Sequence, residues 1–281
     1  MDEPVISDGG GGLVRVRLDV AYDGTEFSGW APQPDRRTVA GVLVGALTRV
    51  LGPVDGLTVA GRTDAGVHAI GQVCHVDVRA AAWVGVRNTL VRRLAGLLPA
   101  DVRVLSTTEV PDTFDARFGA LCRRYEYRVA DAPWGADPLR ARYTLAWPRP
   151  LDLPSLSAAS AGLIGEHDFA AYCRRKEHGT TIRTLTMLDW RRGPDGVLVA
   201  SVEADAFCQA MVRSLVGALL AVGDGRRPVA WPGKLLARSE RANEVVVAPP
   251  HGLTLVAVRY PADPAEYAAR AELTRNRRSL V

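Results

Sequence analysis

Nine consecutive residues, Gly61-Arg-Thr-Asp-Ala-Gly-Val-His-Ala69, hold the side chains best suited to chemistry. Asp64 is a carboxylate next to Arg62 and flanked by small residues, and such a group serves as nucleophile, general base or structural cap of a turn. Gly61 and Gly66 are the residues that let a backbone take positive φ and come close to a ligand. The apolar stretches on either side, Leu57–Ala60 and Ile70–Val78, read as strands, so the motif is expected on the loop that joins them. No second acidic motif at a recognisable spacing suggests a metal-dependent hydrolase or a glycosidase pair. A hydrolase with an Asp nucleophile lacks any supporting base and oxyanion set here.

The elements that must position this loop follow from periodicity. Val14, Val16, Leu18, Val20 and Tyr22 alternate with Arg15, Arg17 and Asp19, the pattern of a half-buried strand. Thr38 is placed to cap a helix whose apolar positions, Val39 through Leu51, recur at i, i+3 and i+4. A second amphipathic run, Val84 to Leu98, ends at Pro99, and Val102–Leu105 is a short strand. The order β-α-β-β-α-β is the split ferredoxin-like arrangement. The chain then repeats that order without evident sequence repetition: a strand at Arg124–Val129, a helix at Ser155–Ile164, a hairpin of Ile182–Trp190 and Val197–Val202 about Gly193-Pro-Asp-Gly196, a helical stripe from Phe207 to Leu220, and a last strand at Leu253–Val258. The predicted fold is α+β, two ferredoxin-like halves whose mixed antiparallel sheets flank a central catalytic cleft. The boundaries expected are a flexible leader at 1–12, an N-terminal half at 13–112, a C-terminal half at 113–261 and a basic tail at 262–281. The tail, with Arg270, Arg275, Arg277 and Arg278, reads either as a basic helix touching RNA or as a solvated terminus.

Composition narrows the class. At 281 residues, 47% hydrophobic and 23% charged, the chain is an ordinary globular protein of one large or two modest domains. No run approaches the about 18 apolar residues of a membrane span, and no signal peptide is visible, so a cytoplasmic location is expected. Cys74, Cys122, Cys173 and Cys208 lack Cys-x-x-Cys spacing, which favours buried free thiols over disulfides or zinc, and the five histidines are scattered. Net charge is only +4, but of 35 basic residues just Lys176 and Lys234 are lysines. Arginine's planar fork suits phosphates and bases, which permits a nucleic-acid partner without requiring one.

The motif, continued by Gly71-Gln-Val73, resembles the signature of the tRNA pseudouridine synthase A family. Further blocks are similar in family order: Tyr22-Asp-Gly-Thr25 with Gly29-Trp30, Arg37-Thr-Val39, Phe114-Asp-Ala-Arg117, Arg123-Arg-Tyr-Glu-Tyr-Arg128, His167-Asp-Phe169, Arg183-Thr184, Met211-Val-Arg213, Val222-Gly-Asp-Gly-Arg226 and Ala248-Pro-Pro-His-Gly-Leu253. The resemblance implies an isomerase that turns uridine into pseudouridine at positions 38, 39 and 40 of the tRNA anticodon stem-loop, with no metal or organic cofactor, acting as a homodimer. Asp64 is then the catalytic carboxylate, attacking C6 of the base or C1′ of the ribose. Arg213 is its counter-charge, on the smaller, more polar side of its helix beside Gln209, Ala210 and Gly217. Tyr125 stacks on the flipped base, a surface that replaces lost neighbours, and can take part in proton removal from C5. Arg62 helps to hold the flipped conformation, while Asp23, Trp30, His68 and His167 shape the cleft or contact RNA. Ala31 and Ala40 stand where the family usually has glutamine and Val44 where glutamate is common, which bears on RNA contacts and leaves the catalytic set complete. The alternative is a non-catalytic RNA-binding or folding-helper protein on the same fold.

Overall fold

The computed structural model describes residues 12–174 and 180–275. The expected leader up to Gly11, Lys176, His178, Arg277 and Arg278 lie outside the described residues. The strands are β1 Leu13–Tyr22, β2 Asp55–Val59, β3 His68–Arg79, β4 Val102–Val110, β5 Cys122–Ala130, β6 Leu145–Ala146, β7 Gly165–Asp168, β8 Ile182–Arg192, β9 Leu198–Ala204 and β10 Leu253–Arg259. The helices are α1 Val39–Leu51, α2 Ala80–Val86, α3 Leu90–Leu97, α4 Leu153–Ala161, α5 Met211–Gly223, α6 Trp231–Leu235 and α7 Tyr267–Arg275. Among the described residues no helix is long and apolar enough to cross a membrane.

The α+β class and the order of elements match the sequence expectation. Where the sequence reading expects the sheets of two halves to flank a cleft, the two sets of strands join edge to edge into one sheet in the order β4-β1-β3-β10-β5-β9-β8-β7. The seam is a short parallel pairing of β3 with β10, Thr254 opposite His68 and Leu255 opposite Ala69. Further along the same edge of β3, β2 pairs antiparallel through Thr58 with His75 and Val59 with Cys74. The loop that follows β2 therefore leaves the sheet where β3 changes partner.

One face of the sheet carries the main core. Val16, Leu18, Val20 and Tyr22 of β1 are buried as the alternation predicts, and they share a cluster with Leu43 and Leu47 of α1 and Leu90 and Leu94 of α3. Tyr125, Tyr127, Val202 and Leu255 pack in the same cluster with Met211, Leu215 and Leu219 of α5. Each fully buried aliphatic side chain contributes about 1.5–3 kcal/mol. Thr38 caps α1 by accepting from the Gly41 N–H. A smaller cluster on the other face joins Val73, Phe114, Ala116 and Tyr267.

Four details depart from expectation. The run predicted as one helix over Val84–Leu98 is two, and the residues turned inward from the first are Trp83 and Val86, whereas Val84 is 63% exposed. The stripe predicted from Phe207 becomes helical only at Met211, because Ala210 sits at φ +65, the left-handed region that interrupts a helix. Cys173 and Cys208 are joined as a disulfide with Cα atoms 5.7 Å apart, where free thiols were expected; a pair 35 residues apart has no local signature. The described part of the tail is a packed helix: Tyr267 meets Phe114 edge to face at 5.3 Å, and Arg275 pairs with Asp115 at 3.0 Å.

Candidate active site

The loop from Ala60 to Val67 is built from beneath. Gln72, fully buried in β3, donates through Nε2 to the Gly61 carbonyl at 2.8 Å and to the Tyr22 hydroxyl at 3.2 Å. The Tyr22 hydroxyl in turn lies 2.8 Å from Thr63 Oγ1. A glutamine inside an apolar strand must find partners, because an unpaired buried amide costs about 1–3 kcal/mol. Here those partners are the start of the Asp64 loop, at Gly61, and the Tyr22 hydroxyl that contacts Thr63. Burial pushes the Tyr22 phenol well up, so it stays a neutral donor in this network.

The backbone of the loop turns at Asp64, whose carbonyl accepts from the Val67 N–H at 3.2 Å, and Gly66 takes φ +78 within that turn. Gly66 thus does what the sequence predicts of it. Gly61 does not: its φ is not in the positive range, and a Cβ there would meet open space. The glycine that matters in its place is Gly29, at φ +93, where a Cβ would lie 2.9 Å from the Thr63 carbonyl oxygen. The 27–30 segment consequently lies flat against the loop, and Trp30 N–H donates to Thr63 O at 3.1 Å while Gly66 N–H donates to Phe27 O at 3.3 Å.

Onto this loop the fold brings two distant groups. Arg213, in the first turn of α5, places Nη1 3.2 Å from Asp64 Oδ2 while its Nε donates to the Ala248 carbonyl at 2.8 Å. The pair is half-buried, with Asp64 32% and Arg213 20% exposed. Tyr125 projects from β5 and is 7% exposed, with the Phe207 ring edge-on at 5.3 Å. Desolvation raises its phenol to about 12, with the Asp64 charge adding to the shift and Arg123 opposing it. Tyr125 is thus a neutral phenol at ordinary pH. Arg123, 6% exposed, ties the two sides together: it donates to the carbonyls of Asp205, ahead of α5, at 2.7 Å and of Ala60, at the root of the Asp64 loop, at 2.8 Å.

The other predicted contact residues fall in different places. Arg62 is exposed beside Asp64 and makes no ion pair among the described residues. His68 is 5% exposed; Nδ1 accepts from the Gly24 N–H, and Nε2 lies 3.0 Å from the carbonyls of Arg142 and His251, so the ring ties together the segments at Gly24, Arg142 and His251. Trp30 is 2% exposed and packs on Tyr22 at 6.0 Å, which makes it a support of the loop. Asp23 is partly exposed and accepts from Thr25 at N and Oγ1. Burial would raise its carboxyl, yet the Thr25 bonds, His68 and Arg142 together hold it below the usual range. His167 is bonded to the Ile164 carbonyl at 3.0 Å on β7, a strand at the far edge of the sheet. Tyr22, Gln72, Gly29, Phe207 and Arg123 were not assigned to the site from sequence, although Tyr22, Gly29, Gln72 and Arg123 fall in the family-like blocks and Gln72 is also a polar side chain inside an apolar strand.

Residues 159–261 match the family model for tRNA pseudouridine synthase, a span that includes Arg213 and begins after Asp64 and Tyr125. Full-length relatives cover the remainder. A tRNA pseudouridine synthase A of Frankia casuarinae is 61% identical, with 94% of this chain and 95% of its own covered. Those of Streptomyces griseus and Mycobacterium leprae are 58% and 52% identical, covering 96% and 95% of this chain and 95% and 96% of theirs. The chain belongs to the tRNA pseudouridine synthase A family, and it is an enzyme, an isomerase.

Proposed function

We propose that this protein isomerises uridine to pseudouridine at positions 38, 39 and 40 of the tRNA anticodon stem-loop, with Asp64 as the nucleophile. The observation that carries this reading is the Asp64–Arg213 pair at 3.2 Å, which joins the loop to α5 close enough to the buried Tyr125 of β5 for the Asp64 charge to act on its phenol. In the reaction a carboxylate oxygen of Asp64 bonds to C6 or C1′, the N1–C1′ bond breaks, the uracil turns, and C5 bonds to C1′. The C5 proton is lost, N1 gains one, and Asp64 is released, so no atom is added overall. Arg213 orients the carboxylate and supplies its counter-charge. Tyr125, neutral because its desolvated phenol is raised to about 12, offers a stacking face and a hydroxyl rather than a phenolate base. Arg62, exposed beside Asp64, is the group free to hold the extruded nucleotide's backbone, and Asp23 lies within reach of RNA at the cleft edge. A homodimer acting in the cytoplasm on one tRNA completes the reading, and a solution mass measurement tests the dimer.

Incubating purified protein with unmodified tRNA transcript and mapping pseudouridine is the direct test. Product is expected at the three positions with wild type and none with Asp64→Ala. No product with wild type, or undiminished product with Asp64→Ala, overturns the assignment.

A further inference from the structure

The face of α5 that carries Arg213 continues through Gly217, Leu220 and Ala221, at i+4, i+7 and i+8. At Gly217 another segment lies directly on the helix, since a Cβ there would stand 1.8 Å from the Val246 carbonyl oxygen. Beyond that crossing a cavity of about 310 Å³ opens between α5, α6 and the segment that includes Val246. Its walls mix apolar side chains, Leu220, Val246, Trp147 and Trp231, with Arg226, Arg227 and Glu244, and Val246 is 72% exposed. Two guanidinium groups stand over the indoles: Arg226 lies 5.6 Å from the Trp147 ring centre and Arg227 4.7 Å from that of Trp231.

Charge completes the description. Arg226 pairs with Asp224 at 2.8 Å, and Arg238 with Glu244 at 2.7 Å, while Arg149 stands 3.9 Å from the same Asp224. Arg227 makes no ion pair among the described residues, so the rim carries surplus positive charge. The indole Nε1 of Trp147 is buried without an acceptor among the described residues. Indoles already stacked with guanidinium groups, an apolar floor and an arginine with no ion pair among the described residues are side chains suited to an unstacked nucleotide: the ring–guanidinium stack is extended by the base, and the cation meets its phosphate.

The cavity shares a wall with the site above. Ala248 lines it, and the Ala248 carbonyl is the group that holds Arg213 Nε at 2.8 Å. Gly217 is one helical turn, roughly 6 Å, from Arg213. A stacked strand rises about 3.4 Å per nucleotide, so a cavity that runs from Gly217 to Ala221, roughly 6–12 Å along α5 from Arg213, lies about two to four nucleotides from the target.

We propose that the Trp147–Trp231 cavity is a second RNA subsite, which takes a single unstacked nucleotide of the tRNA about two to four positions from the target uridine, its base on the arginine–indole stacks and its phosphate on Arg227. This rests on the proposed function, so binding is read apart from turnover, on protein carrying Asp64→Asn and an unmodified tRNA transcript. Arg227→Ala and Trp147→Leu in that background are each expected to raise Kd about tenfold. Arg227→Ala should also flatten the salt dependence by about one unit of slope. Arg92→Ala, an exposed arginine on α3, should change Kd less than about twofold. Transcripts with 4-thiouridine placed on either side of the target should crosslink to peptides containing Trp147 or Trp231. Unchanged Kd in Arg227→Ala, which is exposed and leaves the core intact, or crosslinks confined to peptides outside the cavity, overturns the subsite. Failure of the subsite leaves pseudouridine formation by wild type untouched, whereas absent product with intact binding overturns the function alone.

Discussion

Arg213 is the residue whose chemistry depends most on its exact type. Its guanidinium spans two acceptors in different directions, Asp64 through Nη1 and the Ala248 carbonyl through Nε. A lysine ammonium is a compact charge that can serve one of them, so charge alone does not restore the geometry. Arg213→Lys is expected to lower kcat/KM about a hundredfold, the cost of a misplaced reacting group, while thermal stability changes little. Single-turnover kinetics on tRNA transcript decide it, and retention of near wild-type rate would show that only the positive charge matters. Tyr125 is complementary: its work is that of a ring, and the phenol raised to about 12 by desolvation makes it a poor ionised base near neutrality.

Among the elements, the loop carrying Asp64 is held by contacts that tolerate little volume. Gly29 adopts φ +93 with only 2.9 Å between a built Cβ and the Thr63 carbonyl. Gly29→Ala must therefore strain its own backbone and push the loop away from Arg213. A destabilisation of about 1–3 kcal/mol is expected, with kcat reduced at least tenfold and tRNA affinity nearly preserved. Urea denaturation beside steady-state kinetics separates the two effects; wild-type kcat would show that the loop accommodates the methyl group. A second clip acts on the segment that leads into α5, where the disulfide links Cys208 to Cys173. Thiol titration of unfolded, unreduced protein should find two thiols, Cys74 and Cys122, and four after reduction. Closing a loop of 35 residues is worth about 3–4 kcal/mol in chain entropy, so reduction should lower the unfolding free energy by that order. Four thiols before reduction would remove this clip from the solution structure.

At the scale of the whole molecule, packing on both faces of the joined sheet buries tyrosines. Tyr22, Tyr125, Tyr127, Tyr172 and Tyr260 are all raised above the ordinary phenol value by burial. In the unfolded chain these phenols ionise near pH 10. The stability they contribute is therefore fully present below about pH 10 and is lost as pH rises through the higher folded values. Alkaline titration should show tyrosinate absorbance for five of the seven tyrosines arising together with loss of far-UV circular dichroism. Gradual ionisation of all seven ahead of unfolding would contradict this.

By itself the sequence determined the local order of the chain and the identity of its reactive loop. Alternation in β1 and helical spacing in α1 and α5 are properties of neighbours, and Thr38 caps the helix beside it, so each was legible without knowledge of the rest. The likeness of the Gly61–Ala69 motif and the later blocks named Asp64, Tyr125 and Arg213, and periodicity had already placed their loop, strand and helix. Tertiary structure alone decided what those groups rest on. Asp64 and Arg213 are 149 positions apart, and the parallel seam of β3 with β10 pairs Thr254 with His68, more distant still along the chain. Which strand edges meet depends on burial and hydrogen bonding summed over the whole core, not on any stretch of neighbours. For that reason Trp30 and His68, expected to shape the cleft or contact RNA, are buried, Trp30 against the loop and His68 beside Gly24, while Tyr22, Gln72 and Gly29 form the mount on which Asp64 stands.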